Sequence, residues 1–179
     1  MNDTDNPDFG LASGELRLVT VGPEWGSRFA AEHDRISIAL DAAALDIRHI
    51  GSTAIPGILA KPILDIAVAI GSFEAGFPLV PLLVGLGYEY RGEHGIPRRH
   101  YFVHGSPRRT FHLHVLERHG DEWAHHLRFR DTLRGSPATA ARYSALKRAV
   151  VAESGGNRAF YQSLKSSFIA EVHGLRAGA

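Results

Sequence analysis

The chain has 179 residues, 44% of them hydrophobic and 22% charged, which suits one globular domain with a proper core. A net charge of +1, with eleven histidines counted as neutral, gives no strong signal for nucleic acid or for an anionic membrane. Cysteine is absent, so disulfides, thiolate nucleophiles and Cys-type zinc sites are excluded together.

Met1 to Gly14, with Asn2, Asp3, Asp5, Asn6, Pro7 and Asp8, has no periodic apolar pattern and is expected to be a disordered, dispensable tail. That leaves residues 15–179 as a single domain. The segment has neither a basic n-region nor an apolar h-region, and no apolar run approaches a membrane span, so the expected location is cytoplasmic. Glu15 to Val21 reads as a short edge strand or an extended lead-in. Pro23 opens a helix in which Trp25, Phe29, His33, Ile36 and Leu40 form one apolar stripe up to about Ala44. Glu24, Arg28, Glu32 and Arg35 are expected outside that stripe.

Asp46 to Ile50 and Ile63 to Ile70 read as central strands. Phe73 to Leu86 reads as a helix or helical hairpin, with Pro78 and Pro81 inside it. Tyr88 to Arg91 and Arg99 to His104 look like strands of a meander, joined by a polar loop, Gly92 to Arg98, expected over the site. Thr110 to Glu117 alternates Phe111, Leu113 and Val115 against His112 and His114, which puts both histidines on one face and the apolar three in the core. A helix from Asp121 carries Trp123, Leu127, Phe129 and Leu133 and ends at Gly135-Ser136-Pro137. A second runs from Pro137 to about Glu153 with Tyr143, Leu146 and Val150 inward. After Ser154-Gly155-Gly156, Asn157 caps a third, carrying Phe160, Tyr161, Leu164, Phe168 and Val172. The order implies an α+β fold: an N-terminal helix, a mixed β-sheet and a C-terminal group of three helices, with no internal repeat.

Chemistry concentrates in Arg48 to Ile70, RHIGSTAIPGILAKPILDIAVAI. A strand that stops at Gly51-Ser52 and leads into a short helix directs backbone N–H groups and a hydroxyl outward, toward anionic oxygens. Asp65 interrupts the apolar run Ile63, Leu64, Ile66, Val68, and a carboxylate there must face a cleft and meet a metal, a cation or a donor.

Gly-Ser followed by an acid on the next strand resembles the nucleotidyltransferase fold of the DNA polymerase β type, and HIGSTAIPGILAKPILDI is similar to the signature of the GrpB family in that superfamily. VGPEWGSRFAAEHDRI before it and HLHV, LRFRDTLR, YSALK and FYQSLKSSFI after it follow the family's order, so the resemblance spans roughly Val19 to Leu175. It implies metal-dependent transfer of a nucleotidyl group, with Gly51 and Ser52 positioning a triphosphate and Asp65 holding a divalent metal, Mg²⁺ or Mn²⁺. The rival is a non-catalytic module binding a nucleotide or other phosphorylated small molecule.

Nucleotidyltransferases of this fold grip two metal ions with carboxylates at i and i+2 on the strand after Gly-Ser and a third on a later strand. Here Asp65 fills the first place, Ala67 the second, and His112 and His114 stand where the later acid would be. Two imidazoles and a carboxylate would suit one borderline metal, Zn²⁺, Mn²⁺ or Fe²⁺, better than paired Mg²⁺. The alternative is that one histidine bonds Asp65 and the other faces solvent with no metal. His49 is a further candidate ligand, or else a satisfied histidine fixing the turn. Lys61, Arg98, Arg99 and Arg109 are candidate phosphate contacts, or else solvated charges. Arg130 and Asp131 are expected to brace the strand layer, and Tyr143 and Lys147 to pack with a snorkelled ammonium.

Overall fold

The structure is a computed structural model and describes residues 9–153, 167–172 and 174. Its centre is a five-stranded sheet built from β3 (Asp46–Ile50), β5 (Leu64–Ile70), β9 (Phe111–Glu117), β7 (His100–His104) and β6 (Tyr88–Tyr90), in that spatial order. β5 and β9 run parallel, and the other pairs are antiparallel, so the sheet is mixed. Two small ribbons lie beside it: β1 (Leu11–Ala12) with β8 (Arg108–Arg109), and β2 (Val19–Thr20) with β4 (Leu59–Ala60). The helices are α1 (Glu24–Leu40), α2 (Leu79–Gly85), α3 (Asp121–Gly135) and α4 (Pro137–Glu153), and residues 167–172 are helical as well. This is the expected α+β arrangement, with a helix ahead of a mixed sheet and further helices after it. The rest of the segment expected to form a third C-terminal helix, including Asn157, Phe160, Tyr161 and Leu164, lies outside the described residues.

Alternation along the strands assigns the two faces. Ile47, Leu64, Ile66, Val68, Phe102, Leu113 and Val115 meet Ile36 and Leu40 of α1 and Leu79 and Leu83 of α2 in one continuous core. Their neighbours one residue along, Ile50, Ala67, Ala69 and Leu116, form a second, smaller cluster under Trp123 and Leu127 of α3. A period of two thus divides the sheet between a mainly apolar side, which also holds His49, His100 and His104, and a side that carries Asp65, His112 and His114.

Several boundaries differ from expectation. Phe9 and Leu11 are buried, Phe9 meets Trp25 and Phe111 edge to face at 5.6 and 5.3 Å, and Leu11 pairs with Arg109, so residues 9–12 belong to the domain rather than to a tail. Two isolated aromatic and aliphatic anchors suffice there, without any periodic pattern. Glu15 to Val21 keeps only β2 as strand. The first helix gives way at Asp41 to a single 3-10 turn, Asp41–Ala43. Phe73 to Leu86 is split by Pro78 into a 3-10 turn, Phe73–Gly76, and α2. Glu32, expected outside, is buried: Tyr88 donates to its Oε1 at 2.8 Å and Arg35 to its Oε2 at 2.6 Å, which compensates the buried carboxylate.

Candidate functional site

The register builds the site from two neighbouring rows on the α3 side of the sheet. One row runs Ile50, Asp65, His112, Val103 across β3, β5, β9 and β7, and the next runs Arg48, Ala67, His114, Tyr101. Asp65, His112 and His114 are therefore brought together, as period-two alternation predicts. His112 Nδ1 lies 3.1 Å from Asp65 Oδ1, and His114 Nε2 lies 3.7 Å from the same oxygen, an ion-pair distance too long for a hydrogen bond. Burial alone would push the Asp65 carboxyl up, but the His112 and His114 imidazoles outweigh it and hold the group well below the usual carboxylate range. Asp65 is thus ionised and accepts the Nδ1–H of His112. The remaining His112 nitrogen, Nε2, is buried with no hydrogen-bond partner among the described residues.

The tautomer of His114 follows from Arg99. The Arg99 guanidinium approaches His114 Nδ1 at 3.4 Å, and arginine can only donate, so Nδ1 is the acceptor and Nε2 carries the proton toward Asp65. Burial lowers the His114 pKa despite the nearby carboxylate. Arg99 is itself buried, and its other donors hold the carbonyls of Glu93 and His94 at 2.8–3.2 Å. His94 in turn stacks on Tyr101 with ring centres 4.8 Å apart, so the loop between β6 and β7 is fixed over this end of the site, as expected. Tyr101 and His126 of α3 complete the surround, at 5.2 and 5.0 Å from the His114 ring. Neither was among the expected site residues.

Gly51 and Ser52 sit at the edge of the same face. Gly51 has φ +69° and ψ −168°, which turns β3 into a 3-10 turn, Ser52–Ala54, beside Asp65. α3 clasps this turn from outside: Arg130 donates to the His49 carbonyl at 3.1 Å and Arg134 to the Ala54 carbonyl at 2.7 Å. Arg130 also binds Asp131 at 2.7 Å, so this pair of the LRFRDTLR segment braces the strand layer as expected.

The other expected site residues separate. His49 pairs with Ile66 and lies on the opposite, apolar face, where it stacks on Phe29 at 5.0 Å and bonds Thr53 Oγ1 at 3.0 Å. Its side chain does not join the Asp65 cluster, because odd and even residues of β3 face opposite ways; it bonds the turn through Thr53, and burial lowers its pKa to about 4 although the nearby Asp65 charge opposes this. Arg98 is bound to Glu117 at 2.8 and 2.9 Å and lies 3.6 Å from Glu74, so its charge is already matched within the chain. Arg99 spends its donors on the loop carbonyls and His114. Arg109 is half-buried in β8 opposite Leu11, close enough to Tyr101 for its charge to act on that phenol. Lys61 is half-buried between β4 and β5.

The metal-holding set does not fit. Ala67 shares the face of Asp65, as the i+2 spacing requires, but it is fully buried among Ile50, Ala69, Leu116 and Trp123. Asp65 bonds His112 and has His114 at 3.7 Å, and among the described residues no group of three His, Asp or Glu side chains is arranged to hold a metal ion. No described helix is long and apolar enough to cross a membrane.

Comparisons with known proteins place the chain among relatives of similar sequence and fold. YqkA of Bacillus subtilis is 34% identical over 139 residues, 78% of this chain but only 40% of that protein. SCO7215 of Streptomyces coelicolor is 36% identical over 165 residues, 92% of this chain and 86% of that one. The crystal structure of the conserved protein GrpB from Enterococcus faecalis superimposes with a TM-score of 0.82 at 32% identity, covering 88% of this chain and 95% of that chain. The model of the GrpB protein family matches residues 15–174, and the chain belongs to the GrpB family.

Proposed function

We propose that this chain binds a phosphorylated small molecule of nucleotide type on the Asp65 face, as a binding module and not as a two-metal nucleotidyltransferase. The observation that carries this reading is Ala67, which holds the place of the second carboxylate and is sealed beneath Trp123. With that acid gone, Asp65 has no carboxylate beside it at the i+2 place, and the imidazoles of His112 and His114 lie against its Oδ1, which lessens its repulsion of a phosphate. The Gly51-Ser52 turn lies beside Asp65, and a turn of this kind suits an anionic ligand over a neutral one.

Calorimetric titration with the common nucleoside triphosphates, with EDTA and then with Mg²⁺ or Mn²⁺, tests the proposal alongside an assay for pyrophosphate release. The expected result is saturable binding of at least one nucleotide that survives EDTA, with no metal-dependent release. Pyrophosphate release that requires Mg²⁺ or Mn²⁺ and disappears in Asp65→Asn would establish nucleotidyl transfer instead, the reaction that the family resemblance implies.

A further inference from the structure

The loop between β6 and β7 is held in one shape at some cost. Gly92, His94, Gly95 and Arg98 all have left-handed backbone, with φ between +48° and +82°. For His94 and Arg98, which carry side chains, that conformation persists only where the surroundings enforce it. Enforcement comes from the buried Arg99 guanidinium, which donates to the Glu93 and His94 carbonyls, and from Arg98, which is bound to Glu117. What the loop presents in this shape is the His94 ring. It is exposed, although one of its faces lies against Tyr101 with the two ring planes 14° apart, so its other face is turned to solvent. Tyr101 is buried beneath it, with the Arg99 guanidinium carbon 4.6 Å from its ring centre and the His112 and His114 rings at 5.6 and 5.2 Å. The lower ring is thus locked among the site residues while the upper one is open, which makes the pair a rigid flat surface beside the Asp65 face.

We infer that the open face of His94, backed by Tyr101, is the platform on which the base of a nucleotide stacks. Every base has a flat π-surface, and histidine and tyrosine are among the side chains that bases stack on. Sheet order then sets what must join base to phosphate. From the Gly51-Ser52 turn at the end of β3, the strands β5, β9 and β7 lead to Tyr101, three spacings of about 4.8 Å and so at least roughly 14 Å. A mononucleotide with its base on His94 therefore reaches that turn only through a chain of phosphates, which selects a nucleoside triphosphate over a monophosphate.

This inference rests on the ligand-binding reading above, and the test separates the two. The parent, His94→Asn and His94→Tyr are titrated in EDTA with the four common ribonucleoside triphosphates and with inorganic triphosphate. Asparagine tolerates the left-handed backbone but offers no ring, and tyrosine restores one. Expected in His94→Asn is a loss of about tenfold for every nucleotide that the parent binds, with no change for inorganic triphosphate. His94→Tyr is expected to recover the nucleotide affinity. Because the side chain is exposed, both variants should melt close to the parent. Unchanged nucleotide affinity in His94→Asn overturns the platform and leaves the binding reading standing. An equal loss for inorganic triphosphate also overturns it, since the ring would then be a prop for the loop. A parent that binds none of the nucleotides overturns both.

Discussion

Gly51 and Asp65 face each other so closely that a methyl group on Gly51 would lie 2.4 Å from Asp65 Oδ2 and 3.0 Å from its Cβ. The glycine is required twice over: by its φ of +69° and by the carboxylate it makes room for. Gly51→Ala is expected to cost about 1–2 kcal/mol from the backbone alone, and more from displacing Asp65. Urea unfolding measures the loss, and the ring resonances of His112 report whether its bond to Asp65 survives. A variant as stable as the parent with an unchanged His112 signal would contradict the close approach.

Ala67→Asp restores the spacing of a two-carboxylate strand, but the new acid would enter the cluster under Trp123, directly opposite His114 in the ladder. A loss of about 3 kcal/mol is expected from the buried polar group and overpacking. Melting curves with and without Mn²⁺ provide the check; a variant that Mn²⁺ brings back to parental stability would show that the position can open to a metal after all.

Phe9 and Leu11 anchor the N-terminal ribbon through Trp25, Phe111 and the β1–β8 pairing. Removing residues 1–8 should leave the unfolding midpoint where it is, whereas Phe9→Ala should cost about 3 kcal/mol. Comparing the two by urea denaturation tests whether the domain begins before residue 15.

Burial holds His49 at about 4 against an ordinary value of 6.5. Between those values the unfolded chain takes up a proton that the native imidazole refuses, so stability falls as pH drops below about 6.5, with a limiting slope of roughly 1.4 kcal/mol per pH unit from this group. His104 and His114, also lowered by burial, add in the same direction. The pH dependence of the urea midpoint should therefore be visibly shallower in His49→Gln than in the parent. Parallel curves for the two proteins would mean that His49 is not the group being protonated.

What could be read in advance was whatever a local period encodes. Asp65, His112 and His114 stand out because each interrupts an apolar strand at a fixed parity, and the same parity correctly put Phe111, Leu113 and Val115 in the core. Parity within a strand does not say which set shares a face with a residue on another strand. His49 was misplaced for that reason: the pairing of Ile50, and not His49, with Asp65 depends on inter-strand register. Arg98 looked available because its partner Glu117 is 19 residues away. Tyr101 and His126 come from other elements, and only the folded sheet and the packing of α3 bring them to His114. The faint signal for Tyr101 was its place two residues after Arg99 on a strand already assigned to the meander.

The parallel pairing of β5 with β9 also sets when the site can exist. Asp65 and His112 are 47 residues apart, and neither a hairpin nor a single helix brings them together. The intervening β6 and β7 must be threaded in beside β9 as the sheet is completed, so this contact belongs to the late, high-contact-order stage of folding. A fragment carrying only the Gly51 to Asp65 segment would have the signature without the imidazole that donates to Asp65. The bond between Asp65 and His112 is thus a reporter of sheet closure: in a refolding experiment its appearance should coincide with the final cooperative phase, and not with early helix formation in α1.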